Sequence, residues 1–121
     1  MKDVYHIPSS THILTSYGDF YKKMREKNIV DQMHQLFTYA FLVGIKNDNK
    51  NNDRKNSDIF QVQNIDERNF EIVKGIALMK IDVDNGKELI NEIMKYADGG
   101  IEVLKVDYEN DDKLSLQKYL D

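Results

Sequence analysis

The chain has 121 residues, of which 40% are hydrophobic, with 17 Lys and Arg against 21 Asp and Glu, as expected for one globular domain spanning residues 1–121. It contains no cysteine, which excludes disulfides, thiolate nucleophiles and cysteine-ligated metal centres and favours a cytoplasmic location. The longest apolar stretch, Leu36 to Ile45, is half as long as a membrane span, and the N-terminus lacks an apolar signal-peptide core, so no membrane contact is expected.

The N-terminal third is predicted to contain a short β segment and two helices. Val4 to Ile7 favours β structure and is stopped by Pro8. A first helix is predicted over about residues 11–27, where apolar side chains recur every three or four positions. A second helix, over about 29–43, is apolar around most of its circumference and is therefore expected at the centre of the core, with Gly44 ending it.

The segment 46–58 contains no apolar residue. Because nothing in it offsets the entropy lost on ordering, we predict a flexible loop at 46–58. Three of its four basic side chains are the candidate partner-binding residues: Lys50, Arg54 and Lys55.

The remaining chain is predicted to form a brief strand near 59–62, a third helix over about 66–80, and a fourth helix that Asp84 or Asn85 caps. Gly99 and Gly100 are expected to end the fourth helix or to form a tight bend. Residues 101–106 alternate like a strand, with a helix as the alternative, and a short terminal helix would carry Leu114, Leu116 or Leu120. The predicted fold class is therefore mainly α, with α+β as the alternative: a single small domain of about four helices with two or three short strands.

No catalytic or cofactor motif is recognisable. Three histidines are scattered without the i, i+4 spacing of a helical metal site, so no metal ligand is assigned: His6, His12 and His34. The run 82–86 lacks the spacing of a calcium loop. Two acid–lysine pairs have two intervening residues where a restriction nuclease commonly has one: Glu71 with Lys74, and Glu102 with Lys105. The sequence also lacks a P-loop, a dinucleotide fingerprint and a serine nucleophile elbow. We therefore expect a non-enzymatic protein without cofactors.

Charge is unevenly distributed along the chain. Residues 1–81 carry 12 basic and 10 acidic side chains, whereas residues 82–121 carry 5 basic and 11 acidic ones. The most basic run supplies the candidate nucleic-acid contacts: Lys22, Lys23, Arg25 and Lys27. A pI near 5.3 disfavours tight non-specific DNA binding but leaves a local basic patch open.

Three segments resemble a family of small proteins associated with bacterial DNA phosphorothioation, the dnd system-associated proteins. They are Phe37 to Lys46, an apolar helix ending in a glycine turn; Ile76-Ala77-Leu78; and Tyr96 to Leu104, which contains the run YADGG. Their order and spacing agree over roughly residues 20–106, although Ile45 stands where an aromatic residue is expected. The resemblance implies a setting in phage defence and carries over no catalytic residue.

The predicted function is that of a non-enzymatic accessory or adaptor protein of a bacterial DNA-modification or phage-defence system. It would act through protein partners, with DNA as a further partner. Two alternatives stay open: a DNA-binding regulator of the ribbon-helix-helix repressor or antitoxin type, whose strand would be Val4 to Ile7, and an inhibitor that mimics DNA with its acidic half. A homodimer is a further expectation, because a chain this rich in Phe and Tyr can leave an apolar face uncovered.

Overall fold

The computed structural model describes residues 4–111, which fold into four α-helices and one two-stranded sheet. This confirms the predicted mainly α fold with short strands. The elements are, in chain order, β1 His12–Thr15, α1 Gly18–Glu26, α2 Met33–Lys46, β2 Ser57–Gln61, a 3-10 turn Val62–Asn64, α3 Glu67–Lys80 and α4 Gly86–Asp111.

The first predicted helix is wrong at its start, because residues 12–15 form β1. This strand pairs antiparallel with β2, with Ile13 opposite Phe60, and the prediction of a strand near 59–62 is confirmed by β2. Ile13 and Thr15 are 0% and 1% exposed, as expected for alternate residues on the inner face of a sheet. The spacing of apolar residues near Ile13 is compatible with a helix. These residues form a strand because they pair with β2, which is more than 40 residues away in the chain.

The predicted β segment at Val4 to Ile7 is also wrong. It forms a turn and irregular backbone that packs against the start of α4, where the Gly86 N–H donates to the Val4 carbonyl at 2.9 Å. The ribbon-helix-helix interpretation needs a strand at Val4 to Ile7 that pairs with a second copy of the chain. These residues form no strand, and β1 pairs with β2 of the same chain.

Helices α2 and α4 form the centre of the core through a close approach of their backbones. A Cβ atom on Gly100 would lie 1.7 Å from the Ala40 carbonyl oxygen, and one on Gly44 would lie 1.9 Å from the Tyr96 oxygen. These glycines therefore permit helix packing, and both predicted helix ends are wrong: α2 continues beyond Gly44 to Lys46, and α4 continues through Gly100 to Asp111.

Residues 101–106 accordingly belong to α4, which was the alternative to a strand. Asn85 caps this helix, as its side chain accepts from the Glu88 N–H at 3.0 Å. The predicted terminal helix with Leu114, Leu116 or Leu120 lies outside the described residues.

The core gathers side chains from all four helices and from β1. Its largest fully buried members are Tyr21, Phe37, Phe41, Ile13, Met24, Leu36, Leu89, Ile93, Ile101, Leu104, Val43 and Val73. Within residues 4–111, none of the helices combines the length and apolar content that crossing a membrane requires.

Candidate functional site

The outer face of α1 carries more basic than acidic side chains: Lys22, Lys23 and Arg25 are exposed there beside Asp19 and Glu26, and Lys27 follows the helix. Phe20, Tyr21 and Met24 bury its inner face against the core, and the four predicted nucleic-acid contacts lie on the exposed side: Lys22, Lys23, Arg25 and Lys27. Residues three or four positions apart lie on the same side of a helix. Because the apolar residues of α1 face the core, the basic residues between them face solvent.

Tyr108 of α4 positions two of these lysines. Its ring lies 5.0 Å from the Lys23 ammonium and 5.7 Å from that of Lys27, and its edge packs against Phe20 with ring centroids 6.2 Å apart. A cation over an aromatic face is attracted without being neutralised. The ring of Tyr108 thus lies beside the ammonium groups of both Lys23 and Lys27.

A cleft of about 460 Å³ extends this surface to the start of α1. Lys23 and Lys105 line it together with Tyr17 and Ser57, and the Lys105 ammonium lies 5.7 Å from the Tyr17 ring centroid. The cleft adds a fifth cation beside the α1 surface. Asp19 and Glu109 also line it, so the formal charges of the side chains around the cleft cancel.

The three predicted partner-binding residues of the loop are placed differently. Lys55 forms an ion pair with Asp98 at 2.8 Å, and the two side chains are 11% and 1% exposed. Lys50 pairs with Glu92 at 2.9 Å. Arg54 is exposed, and its carbonyl accepts from the Ser16 hydroxyl at 3.2 Å. Two of the three cations therefore make contacts within the chain.

Asp98 is the centre of a buried polar network. Besides Lys55, it accepts hydrogen bonds from the Thr15 hydroxyl and, at 2.9 Å, from the Ser16 N–H. The network joins β1, the loop and α4, so three elements distant in sequence depend on one carboxylate. A buried carboxylate requires such partners, because desolvation without them is costly.

Asparagines extend the anchoring of the loop along α4. The Asn51 side-chain amide donates to Glu102 at 2.5 Å, and that of Asn49 donates to the Gly99 carbonyl at 2.7 Å. The prediction of a flexible loop at 46–58 considered only apolar residues. In the structure its outer residues belong to α2 and β2, and polar side chains tie its middle to the core.

Two pKa values follow from the Lys50–Glu92 contact. Burial raises the pKa of Glu92, but the hydrogen bonds from Lys50 and Lys95 outweigh burial, and the net pKa is lowered. The hydrogen bond to Glu92 raises the pKa of Lys50. Both shifts favour the charged pair at neutral pH.

Tyr21 lies close to the same network but does not join it. Its side chain is fully buried, and its hydroxyl has no hydrogen-bond partner among residues 4–111. Burial raises the pKa of Tyr21 well above its usual value near 10, and the charge of Asp98 raises it further.

Replacing Tyr21 with phenylalanine is therefore expected to raise the free energy of unfolding by about 1 kcal/mol, because it removes a buried polar group without a partner. Ionisation of Tyr21 adds a separate effect at high pH. Because its pKa is higher in the folded than in the unfolded state, the unfolded chain loses the proton first, and the free energy of unfolding falls as the pH rises from about 10 through the folded-state pKa. Urea unfolding from pH 7 to 11 should show a smaller alkaline loss in Tyr21→Phe. The matched control is Tyr5→Phe, which removes a hydrogen bond to the Val83 carbonyl and should destabilise the protein.

The candidate metal ligands and acid–lysine pairs of the sequence lie apart from one another. Residues 4–111 contain no group of three His, Asp or Glu side chains suited to a metal ion. Among the scattered histidines, His12 pairs with Asp58 at 2.6 Å and His34 packs edge-on against Phe60. Of the two acid–lysine pairs, Glu71 and Lys74 are 3.9 Å apart on α3.

Sequence reasoning found the basic residues of α1 but missed Tyr108, Lys105 and the Lys55–Asp98 pair. Tyr108 is more than 80 residues from Lys23 along the chain, and no local spacing connects the two. Comparison with family models, curated proteins and solved structures finds no match to this chain.

Proposed function

We propose that this protein is a non-enzymatic accessory protein of a bacterial DNA-modification or phage-defence system, acting in the cytoplasm. It contacts DNA phosphates with the basic face of α1 and binds protein partners through its other surfaces. One observation carries the DNA contact. Lys22, Lys23 and Arg25 are exposed and have no acidic side chain within 4.0 Å among residues 4–111, whereas Lys50 and Lys55 of the loop are paired with acids.

The geometry suits phosphate contacts better than base reading. Lysine ammonium groups contact phosphates as point charges, and contacts of this kind position a protein on DNA without specifying sequence. The formal net charge of -4 opposes approach of the whole molecule to DNA, so affinity depends on this one face and falls with salt. Four phosphate contacts would give a slope of log K against log salt of about −3.6.

The DNA-mimic alternative depends on which acids of the acidic half are exposed. A mimic needs exposed carboxylates in the acidic half of the chain. Asp98 is buried, while Glu92 and Glu102 accept hydrogen bonds from loop side chains. These three acids make contacts within the domain, whereas Asp82, Asp84, Glu88 and Glu109 are exposed, as a mimic requires.

The double substitution Lys22→Glu with Lys23→Glu is expected to weaken binding of a labelled DNA duplex at least about tenfold in ~0.1 M salt and to reduce the salt slope by about 2. Fluorescence anisotropy titrations across a salt series measure both quantities. Both side chains are exposed, and Lys23 also contacts the ring of Tyr108, so the free energy of unfolding should fall by about 1 kcal/mol or less.

The matched control reverses two exposed lysines elsewhere, Lys80→Glu with Lys87→Glu, which changes the net charge equally. It should lower affinity far less than the α1 variant. Equal losses in the two variants, or unchanged affinity in the α1 variant, would contradict a phosphate contact at α1. Competition with DNA for a purified defence nuclease would instead favour the mimic.

A further inference from the structure

A cavity of about 670 Å³ lies between α3, the 3-10 turn and the segment that precedes β1. Four apolar side chains line its inner wall, each at most 7% exposed: Ile7, Val62, Ile65 and Phe70. Polar side chains complete the lining, and no residue of α1 belongs to it. A concave site with an apolar wall and a few polar groups is the usual form of a small-molecule site. The charged groups of the cavity then determine which class of molecule fits.

Lys74 of α3 lines this cavity and is covered almost as fully as Lys55, but it lacks comparable partners. The two side chains are 12% and 11% exposed. Lys55 lies 2.8 Å from Asp98 and also donates to a backbone carbonyl at 2.9 Å. Lys74 makes no hydrogen bond within the described part of the chain, and the acid within 4.0 Å of it is Glu71, at 3.9 Å. A covered ammonium group with unused donors is suited to the anionic group of a ligand.

Acidic side chains of the same cavity restrict the charge of that ligand. Glu67 and Glu71 line it together with Lys74, so one positive and two negative side chains surround the space when His6 is neutral. Glu71 is 66% exposed and Glu67 is exposed, which leaves their carboxylates accessible to a ligand. A simple anion would be repelled by the two glutamates, and a simple cation would be repelled by Lys74. A molecule that carries both charges can pair with both kinds of side chain.

We propose that this cavity binds a free α-amino acid with an apolar side chain. Its carboxylate contacts the ammonium group of Lys74, its amino group contacts the carboxylate of Glu71, and its side chain lies against the apolar wall. Both charges of an α-amino acid are attached to one carbon atom, and this short separation matches the 3.9 Å between Glu71 Oε1 and Lys74 Nζ. A peptide carries the same two charges at opposite ends, so the geometry favours the free amino acid.

The test is calorimetric titration of the full-length protein with leucine, isoleucine, methionine and phenylalanine. The amino acid that binds most tightly is then compared with three analogues: its N-acetyl form lacks the positive charge, its amide lacks the negative charge, and glycine lacks the apolar side chain. Each analogue should bind at least about tenfold more weakly. No binding of the four amino acids up to about 10 mM would overturn the proposal, as would an analogue that binds equally well.

Two substitutions locate the site. Lys74→Met keeps an apolar stem and removes the ammonium group, so the dissociation constant should rise at least about tenfold. Glu71→Gln, at an exposed position that tolerates change, should raise it at least about threefold. The matched control is Lys80→Met on the same helix outside the cavity, which should bind normally.

Circular dichroism checks that each variant is folded. Amide NMR shifts on titration should include Phe70 and Lys74 and spare α1. Unchanged affinity in Glu71→Gln or in folded Lys74→Met would contradict the site, and so would an equal loss in Lys80→Met or shifts confined to another surface. These measurements contain no DNA, so failure of the DNA proposal would leave them unaffected.

Discussion

Gly100→Ala is expected to lower the free energy of unfolding by about 3 kcal/mol, because the added methyl group has no room between α2 and α4. The added Cβ would lie 1.7 Å from the Ala40 carbonyl oxygen and 2.5 Å from its carbon. A backbone carbonyl cannot change rotamer to avoid the added methyl group, so α2 and α4 would have to move apart. Because these helices form the centre of the core, separation weakens packing along both. Urea unfolding followed by circular dichroism measures the loss.

The matched control is Gly75→Ala, the same change in the middle of another helix. A Cβ at Gly75 meets no atom within 4 Å, and alanine favours a helix by about 1 kcal/mol over glycine. The control should therefore gain stability. Similar changes in the two variants would contradict the close backbone approach at Gly100.

Asp98→Ala is expected to cost about 3–5 kcal/mol, because it leaves the Lys55 ammonium buried without its counter-charge. It also removes the acceptor of the Ser16 N–H and of the Thr15 hydroxyl. Thermal and urea unfolding should both show the loss. Glu71→Ala is the surface control, since its partner Lys74 is 3.9 Å away and Glu71 is 66% exposed; it should change stability by about 0.5 kcal/mol or less.

Removing both charges separates the ion pair from general packing. In Asp98→Leu with Lys55→Met no unpaired charge is buried, so the double variant should be more stable than Asp98→Leu alone. Additive losses would indicate that the two side chains act independently. That result would contradict an energetic role for the 2.8 Å contact between them.

Helix α3 and strand β2 could be predicted because their local signals agree with their tertiary roles. Asp66 caps α3 by accepting from the Asn69 N–H at 3.1 Å, and the helix occupies Glu67–Lys80, within one residue of the prediction. Its core contacts are the spaced apolar residues that the sequence displays. Ile59 and Phe60 have side chains that favour β structure, and both lie in β2.

The glycines show where local reasoning fails. Gly44, Gly99 and Gly100 all suggested helix ends, yet all three lie near backbone of another segment. The residue with left-handed backbone after α2 is Asp48, with φ of 49°. A glycine that ends a helix and one that admits a neighbouring backbone look identical in sequence, and only the position of the second segment distinguishes them.

The candidate site divides in the same way. The cations of α1 are neighbours in the chain, so their common face could be predicted, whereas their support on Tyr108 depends on the docking of α4. The loop cations were predicted as a set with one role. In the structure Lys55 forms an ion pair with the buried Asp98, whereas Arg54 is exposed to solvent.

By itself, the sequence determined the mainly α fold, the apolar faces of the helices and the clustering of positive charge on α1, because these follow from composition and from periods of three and four residues. Tertiary structure alone decided that residues 12–15 form a strand, that α4 runs through its glycine pair, and which charges are neutralised. Strand pairing, backbone approach and ion pairing join residues far apart in the chain, and their energies depend on distances that no local pattern specifies.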